Sequence, residues 1–300
     1  MVSTPHDAAS HHSRGLTLAT VGIVILSFDS LLVRLAVTDG WNIAFWRGAL
    51  MALVMGLFYC QRRRLATLNA HRGVSLVSAG LLAAISLLFV MAVMHTRVAN
   101  VVVILSTAPL FAAILTRLFL QERVAARTWV AIGLAMLGLI IVFAGSLTGD
   151  GLLGDVYALG AAMAVGANLT LLRRYPMLDR LPLIAGGGVI TAIIAWPMAT
   201  PLALSTQSYA VLAIMGLLQM PLATALINNA TRYLPSAEVA LFYLVEAILG
   251  TLWVWWLLGE NPPGATLYGG LLTLVTLLVN AWLGLRKPGA RWITGTSRPR

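Results

Sequence analysis

The sequence predicts an all-α polytopic membrane protein, with ten transmembrane helices arranged as two inverted five-helix repeats. Three observations predict this fold class: an apolar composition, ten apolar segments of spanning length, and two similar stretches far apart in the chain. Hydrophobic residues form 59% of the 300 residues, charged residues form 10%, and the mean hydropathy is +0.89. Soluble domains carry about 25% charged residues, so a water-soluble core could not hold this much apolar surface.

Each predicted span is an apolar run of 17 to 24 residues. A hydrocarbon core of about 30 Å requires about 20 such residues in a helix. The connections between the runs are too short to form a separate soluble domain. In chain order the spans are Gly15–Ala36, Trp41–Tyr59, Val74–Met94, Ala99–Phe119, Arg127–Phe143, Gly154–Leu172, Leu183–Thr200, Tyr209–Arg232, Ala237–Leu258 and Leu267–Leu285.

Positive charges predict the orientation of these spans. With the N-terminus inside, the inner loops and tails hold sixteen Arg and Lys residues, whereas the outer loops hold only Arg97. Cytoplasmic loops carry such an excess, which predicts a multi-pass protein of the inner (plasma) membrane with both termini cytoplasmic. The net charge of +10 is therefore assigned to these loops, and no nucleic-acid partner is expected. The predicted parts are the N-terminal tail 1–14, the first repeat 15–144, the outer linker 145–153, the second repeat 154–285 and the basic tail 286–300.

The repeat is visible in residues 95–122 and 233–260, which read HTRVANVVVILSTAPLFAAILTRLFLQE and YLPSAEVALFYLVEAILGTLWVWWLLGE. Each stretch has a polar turn and then an apolar helix that ends at a glutamate, Glu122 or Glu260. Five spans in each half is an odd number, so the second half enters the membrane from the opposite side. Inverted repeats are typical of secondary transporters, in which the substrate binds near the midplane between the halves.

These features resemble a known group of proteins. Ten spans as five plus five, a fourth span with Pro109 mid-way and Glu122 at its end, and a Gly-rich fifth span resemble the drug/metabolite transporter (DMT) superfamily. The EamA-type exporters are the most similar, among them the YddG-like amino-acid exporters. The resemblance implies a cavity lined mainly by the third, fourth, eighth and ninth helices. The second half departs from the pattern, because Ala247 stands at the position that matches Pro109.

Glu246 lies near the middle of the ninth span. A charge at a helix centre costs about 2.5–3.5 kcal/mol on insertion scales, so such groups usually face a cavity or a partner. Glu238, Phe242 and Glu246 share one helix face at spacings of four residues, and Tyr243 lies nearby. This pattern predicts a substrate path lined by Glu246, Tyr243 and Phe242. The alternative is a protonated Glu246 that hydrogen-bonds a neighbouring helix, and proton coupling at Glu246 is a narrower hypothesis.

Other polar and aromatic residues within the spans are further substrate-binding candidates. Hydroxyls and amides in membrane helices also bond neighbouring helices, at about 0.6–2 kcal/mol each, so either role stays open for each residue. Pro109 and Pro221 predict kinks, which either are static or let the helices swing. The additional candidates are Ser86, Phe89, Asn100, Thr107, Gln219 and Asn229.

Asp29 and Arg47 lie at similar depths in the hairpin formed by the first two spans. Both are about 10 Å below the outer surface at a rise of 1.5 Å per residue, which permits an ion pair. The first two helices are peripheral in the family that the chain resembles, so a structural role is the expectation. We also expect no cation near the midplane, which argues against phosphorylated substrates.

Four common enzyme motifs are missing from the sequence. It has no GxxxxGK[ST], HExxH, CxxC or GxSxG pattern and a single cysteine, so we expect neither an enzyme nor a cofactor or metal site. The predicted function is export of small amphipathic metabolites, foremost amino acids, by alternating access through a central cavity. A broad exporter of drugs or toxic metabolites is the alternative, and a lipid-modifying membrane enzyme is a more distant one. The expected partners are a small-molecule substrate, the lipid bilayer and, as a coupling ion, protons, with the protein a monomer or homodimer.

Overall fold

The computed structural model describes residues 5–61, 72–120, 126–146, 151–234 and 236–285, and within these ranges it is helical without strands. Glu122, residues 147–150 of the predicted linker and the basic tail 286–300 lie outside the described residues. The α-helices α1 to α13 are, in chain order, Pro5–Leu26, Asp29–Leu35, Gly40–Gln61, Arg72–His95, Val98–Leu105, Ala108–Leu115, Ala126–Ser146, Leu152–Arg174, Arg180–Ala195, Thr206–Ala213, Met220–Ala230, Ser236–Leu258 and Gly264–Leu285.

Four of the predicted spans consist of more than one helical segment. Helices α1 and α2 form span 1, and α5, α6 and the π-helical segment Thr116–Leu120 form span 4. Helix α9 continues into the 3₁₀ turn Trp196–Met198 as span 7. Span 8 comprises α10, the π-helical segment Ile214–Gln219 and α11. The other six spans are the single helices α3, α4, α7, α8, α12 and α13.

Helix length and hydropathy confirm a helical membrane protein. Among the described residues, seven helical stretches are long and apolar enough to cross a bilayer, and they coincide with predicted spans 1–4 and 6–8. Three shorter apolar runs, Trp129–Gly145, Val245–Leu258 and Gly264–Thr276, fall on predicted spans 5, 9 and 10. The ten-span inverted arrangement stays a prediction. Helix α1 begins at Pro5, ten residues before the predicted start of the first span at Gly15.

Helix packing follows the same pattern in the two halves. Span 2 packs on span 7 through α3 and α9, span 5 on span 10 through α7 and α13, and span 4 on span 9 through α5 and α12. The contact of span 3 with span 6, through α4 and α8, has its counterpart in the contact of span 8 with span 1, through α11 and α1. If each span of the first half is matched with the span five places later in the chain, every contact named here corresponds to itself or to another of these contacts. An internal repeat requires this correspondence.

Glycine pairs allow close helix crossings in two of these contacts. A Cβ atom built on Gly188 of α9 would lie 2.6 Å from the carbonyl oxygen of Gly48 in α3. A Cβ atom on Gly269 of α13 would lie 2.5 Å from the carbonyl oxygen of Gly138 in α7. Small residues let membrane helices approach backbone to backbone, so glycine is required at both crossings.

Proline interrupts two spans beside the centre of the bundle. The proline ring clashes with the carbonyl four residues earlier, and α5 ends at Leu105, four residues before Pro109. The hydroxyls of Ser106 and Thr107 donate to the carbonyl oxygens of Val103 and Ile104, at 2.6 Å each. Hydroxyls near a proline commonly bond the carbonyls that it frees in membrane helices. The π-helical segment Ile214–Gln219 is the equivalent irregularity directly before Pro221.

An ion-pair network joins three connections at the end of the bundle that is predicted to face outside. Arg34 Nε lies 3.3 Å from Glu260 Oε2, and Arg34 Nη2 donates to the Thr96 carbonyl at 2.9 Å. The backbone N–H of Val98 donates to Glu260 Oε1 at 2.8 Å, at the start of α5. We call Arg34, Thr96, Val98 and Glu260 the outer clasp, because they link spans 1, 4 and 9.

Arg180 holds the opposite end of the bundle. Arg180 is one of the sixteen cations that the sequence places in the inner loops and tails, but only 1% of the residue is exposed. Its Nη1 donates to the carbonyl of Pro176 at 3.0 Å, and its Nη2 donates to Thr231 Oγ1 at 3.4 Å. The guanidinium thus fixes the connection between spans 6 and 7 to the end of span 8.

Candidate functional site

A cavity of about 70 Å³ lies between the two halves of the bundle. Its walls come from spans 1, 2, 3 and 4 of the first half and spans 6, 8 and 9 of the second. The helices that the resemblance implied all contribute, and spans 1, 2 and 6 contribute as well. The lining residues are Leu26, Asp29, Arg47, Met51, Leu82, Ile85, Ser86, Phe89, Leu105, Val165, Asn168, Leu169, Met220, Thr224, Ile227, Asn228, Tyr243 and Glu246.

Glu246 faces this cavity from α12. The residue is 3% exposed, and its Oε2 has no hydrogen-bond partner within the described part of the chain. Tyr243, one turn earlier on the same helix, lines the cavity beside it. A carboxylate oxygen that only stabilised helix packing would be bonded to a neighbouring helix, since buried polar atoms are nearly always paired.

Asp29 and Arg47 form the ion pair that their depths permit, with Arg47 Nη1 2.8 Å from Asp29 Oδ2. Both residues are 2% exposed. The Arg47 guanidinium also lies over the Phe89 ring, 5.5 Å from its centroid, a favourable cation–π position. Asp29 Oδ1 and Arg47 Nε have no hydrogen-bond partner among the described residues.

This ion pair corrects an expectation from the sequence. We expected no cation near the midplane, but Arg47 lines the cavity. The reason is tertiary: α3 packs not only on α9 but also on α4 and on the π-helical segment of span 8, so its inner face reaches the centre of the bundle. Glu246, Asp29 and Arg47 therefore bring two carboxylates and one guanidinium to a single cavity.

The structure brings four of the nine predicted binding residues together. Ser86 and Phe89 of α4 line the cavity opposite Tyr243 and Glu246 of α12. Ser86 is 2% exposed, and its Oγ has no hydrogen-bond partner in the described ranges. The cavity thus combines an unpaired hydroxyl and an unpaired carboxylate oxygen with two aromatic rings.

The other five predicted residues are not among the residues that line the cavity. Gln219 Nε2 donates to the Ile25 carbonyl at 3.3 Å, while its Oε1 has no hydrogen-bond partner among the described residues, and Asn229 Nδ2 donates to the Ala225 carbonyl at 2.7 Å. Phe242 packs in an apolar cluster of buried residues from spans 1, 4, 6, 8 and 9. Thr107 donates to the carbonyl of Ile104, as described above.

Asn100 belongs to a separate buried network. Its Nδ2 lies 3.2 Å from Oδ1 of Asp155, a carboxylate that is fully buried in α8, and its Oδ1 accepts a hydrogen bond from Thr266 of α13. These bonds join spans 4, 6 and 10 and use both ends of the Asn100 amide. Among the described residues there is no cluster of three or more His, Cys, Asp and Glu side chains that could bind a metal.

Comparison with known proteins finds a family that the first half of the chain resembles. Residues 13–144 match the sequence model of the EamA-like transporter family. These residues are similar to an EamA-like transporter domain. It is also 24% identical over 180 residues to the uncharacterized transporter YdfC of Bacillus subtilis (strain 168), a match that covers 57% of this chain and 58% of that relative. The match thus spans less than two thirds of the relative's length.

A crystal structure supports the fold over nearly the whole chain. It superposes with a TM-score of 0.66 at 16% identity, covering 94% of this chain and 99% of the other. The family match confirms the predicted EamA-like similarity for residues 13–144, and the similar fold extends beyond these residues into the second half of the chain.

Sequence reasoning missed several residues that line the cavity. Asn168 of α8 lines it and accepts a hydrogen bond from Ser78 Oγ at 2.9 Å. Thr224 and Asn228 of α11 also line it, one helical turn apart. Their spacing of four residues was a usable signal, since polar residues at i and i+4 share a helix face. The aliphatic lining residues carried no signal, because lipid-facing positions are equally apolar.

Proposed function

We propose that this protein is a secondary transporter that exports small amphipathic metabolites, foremost amino acids, by alternating access through the cavity between its halves. The observation that carries the proposal is a set of buried ionisable groups, Asp29, Arg47 and Glu246, with unpaired polar atoms at one central cavity. Ionisable residues within membrane helices are expensive and typically mark a substrate or ion pathway.

The composition of the cavity lining favours an amphipathic substrate. Some of the lining residues have charged or polar side chains, and most of the others are Leu, Ile, Val or Met. A molecule with a charged group and an apolar side chain satisfies both kinds of surface. The similarity to the uncharacterized transporter YdfC and the match to the EamA-like transporter family are compatible with this activity.

In the proposed mechanism, the helices bend at their interruptions and the outer clasp opens. The clasp ion pair joins side chains that are 28% and 24% exposed, and pairs of this kind stabilise by only about 0–1 kcal/mol. Opening the clasp while spans 4 and 8 bend near Pro109 and Pro221 would connect the cavity to the outside. The substrate enters from the cytoplasm, where both termini lie in the predicted orientation.

Flux measurements in proteoliposomes test this function. Purified protein is reconstituted, and counterflow of labelled leucine is measured with and without an imposed pH gradient, against empty liposomes. We expect leucine flux well above the empty liposomes. A gradient-independent flux would remove proton coupling, and the absence of flux for every amino acid tested would contradict the proposal.

A broad exporter of cationic drugs is the second candidate. Two carboxylates and one guanidinium leave one negative charge uncompensated when both carboxylates are ionised, and this balance suits an organic cation. The same proteoliposomes are tested with labelled tetraphenylphosphonium. Saturable flux of this cation without flux of amino acids would favour the second candidate. Turnover of a lipid in the absence of either flux would favour a membrane enzyme.

A further inference from the structure

We propose that Arg47 selects the carboxylate group of the substrate, so that this cavity takes amino acids in preference to the corresponding amines. The inference rests on the proposed function and deepens it, because it assigns the substrate class to one side chain. Arg47, Asp29 and Glu246 carry the argument through their position on a single cavity.

Asp29 holds the Arg47 side chain in place, but not all N–H donors of the guanidinium have an acceptor among the described residues. A guanidinium has five N–H donors, and a buried one normally uses both Nη groups, as Arg180 does with the Pro176 carbonyl and Thr231. At Arg47 the one short contact is to Asp29, and neither Nε nor Nη1 has a well-directed hydrogen-bond acceptor among the described residues. Its remaining donors can therefore receive a carboxylate, which matches the guanidinium edge in a bidentate arrangement.

The cavity also has acceptors for the other charge of an amino acid. Glu246 Oε2 and Asp29 Oδ1 are buried and have no hydrogen-bond partner in the described ranges. An ammonium group has three donors and no acceptor, so these oxygens complement it. Asp29 has a second role as a positioning residue, since its Oδ2 fixes the guanidinium over the Phe89 ring.

A purely structural ion pair would be arranged differently. Such a pair sits among apolar or fully bonded neighbours, and it can often be replaced by uncharged residues without loss. Asp29 and Arg47 instead face the cavity together with Ser86 and Glu246, whose polar atoms are also unpaired. The aliphatic remainder of the lining fits an apolar side chain, and leucine is the probe of choice. These aliphatic residues include Leu26, Met51, Leu82, Ile85, Leu105 and Leu169.

The test compares three ligands that differ in one group each. Leucine has both charges, 3-methylbutylamine lacks the carboxylate, and 4-methylpentanoate lacks the ammonium group. Binding of each labelled ligand to purified protein in detergent is measured for the parent, for Asp29→Asn/Arg47→Gln and for Arg117→Gln. The double variant removes both charges, because Arg47→Gln alone would leave the Asp29 carboxylate buried without a partner. Arg117 is an exposed residue remote from the cavity lining and provides the matched control.

We expect the parent and Arg117→Gln to bind leucine about tenfold to a hundredfold more tightly than 3-methylbutylamine, the ratio given by one charged hydrogen-bonded contact. The double variant should bind the two ligands with similar affinity, and its melting temperature should report that it is folded. A folded double variant that keeps the preference for leucine would overturn the assignment, as would a parent without any preference.

Flux separates this inference from the proposed function. Leucine flux in proteoliposomes of the parent, without a preference over the amine in binding, would contradict the role of Arg47 alone. A binding preference without any flux would contradict transport and leave the recognition intact. The absence of both would contradict both.

Discussion

Glu246 combines burial, an unpaired carboxylate oxygen and a position on the central cavity. Each property alone also occurs in structural carboxylates. Asp155 shows the contrast: it is buried just as deeply, but the Asn100 amide lies within hydrogen-bonding distance of both of its carboxylate oxygens. A structural acid in this bundle is thus bonded to the protein, whereas the Glu246 oxygen is available to a substrate or a proton.

Replacing Glu246 by glutamine tests its role at the residue scale. The amide keeps the shape but cannot ionise, so we expect leucine flux to fall at least about tenfold, which corresponds to one lost contact of about 1.4 kcal/mol, and its pH dependence to flatten. Counterflow between pH 5.5 and 8.5 measures both. Asp179→Asn is the matched control, since Asp179 caps α9 away from the cavity and asparagine caps equally well. Parental flux with a parental pH profile in the Glu246 variant would reduce the residue to a structural role.

The sequence predicted some of these residues and not others for a physical reason. Glu246 and Tyr243 could be found because a charge within an apolar span is costly and helix spacing fixes its neighbours. Thr107 and Asn229 looked similar in the sequence, but each bonds a backbone carbonyl of its own span. A hydroxyl or amide has this choice wherever a carbonyl is within reach, so its type and spacing do not tell which role it takes.

At the scale of helices, hydropathy predicted where the spans lie in the chain, but not which side of each helix faces the cavity. Each of the ten predicted spans is mostly helical where it is described, and the prolines predicted irregularities in spans 4 and 8. The break after α1 at Ser27 and Phe28 was not predicted, because no proline or glycine marks it. There Ser27 accepts a hydrogen bond from Trp253 at 3.1 Å, and Phe28 stacks on the same ring, so contacts with span 9 accompany the break.

The close crossing of α3 and α9 gives a prediction about stability. In Gly188→Leu the new side chain would start 2.6 Å from the Gly48 carbonyl oxygen, so the helices must separate. Overpacking of this kind costs about 1–3 kcal/mol, and we expect a lower melting temperature in detergent. Gly80→Leu is the control, because a Cβ atom at Gly80 meets nothing within 4 Å. Equal melting temperatures of the two variants would show that the crossing is not tight.

At the scale of the whole molecule, two halves with matching contacts enclose the cavity. The sequence predicted the repeat from the stretches that end at Glu122 and Glu260, and an odd number of spans in each half predicted the inversion. It did not predict that span 2 reaches the cavity through Arg47, because the place of a helix in a bundle depends on which neighbours it packs against. The pairing of α3 with α9 and α4, which brings Arg47 inward, leaves no mark in the hydropathy of span 2.

Labelling of single cysteines from each side of the membrane tests the inversion of the halves most directly. In a Cys60→Ser background, cysteines replace Val37, Met177 and Leu202, which lie in connections and are 72%, 89% and 87% exposed. Val37 and Met177 each follow the first span of a half, so inverted halves place them on opposite sides. We predict that a membrane-impermeant maleimide applied outside labels positions 37 and 202, and labels position 177 only after the membrane is opened. Labelling of positions 37 and 177 from the same side would contradict the inverted arrangement and the cavity mechanism built on it.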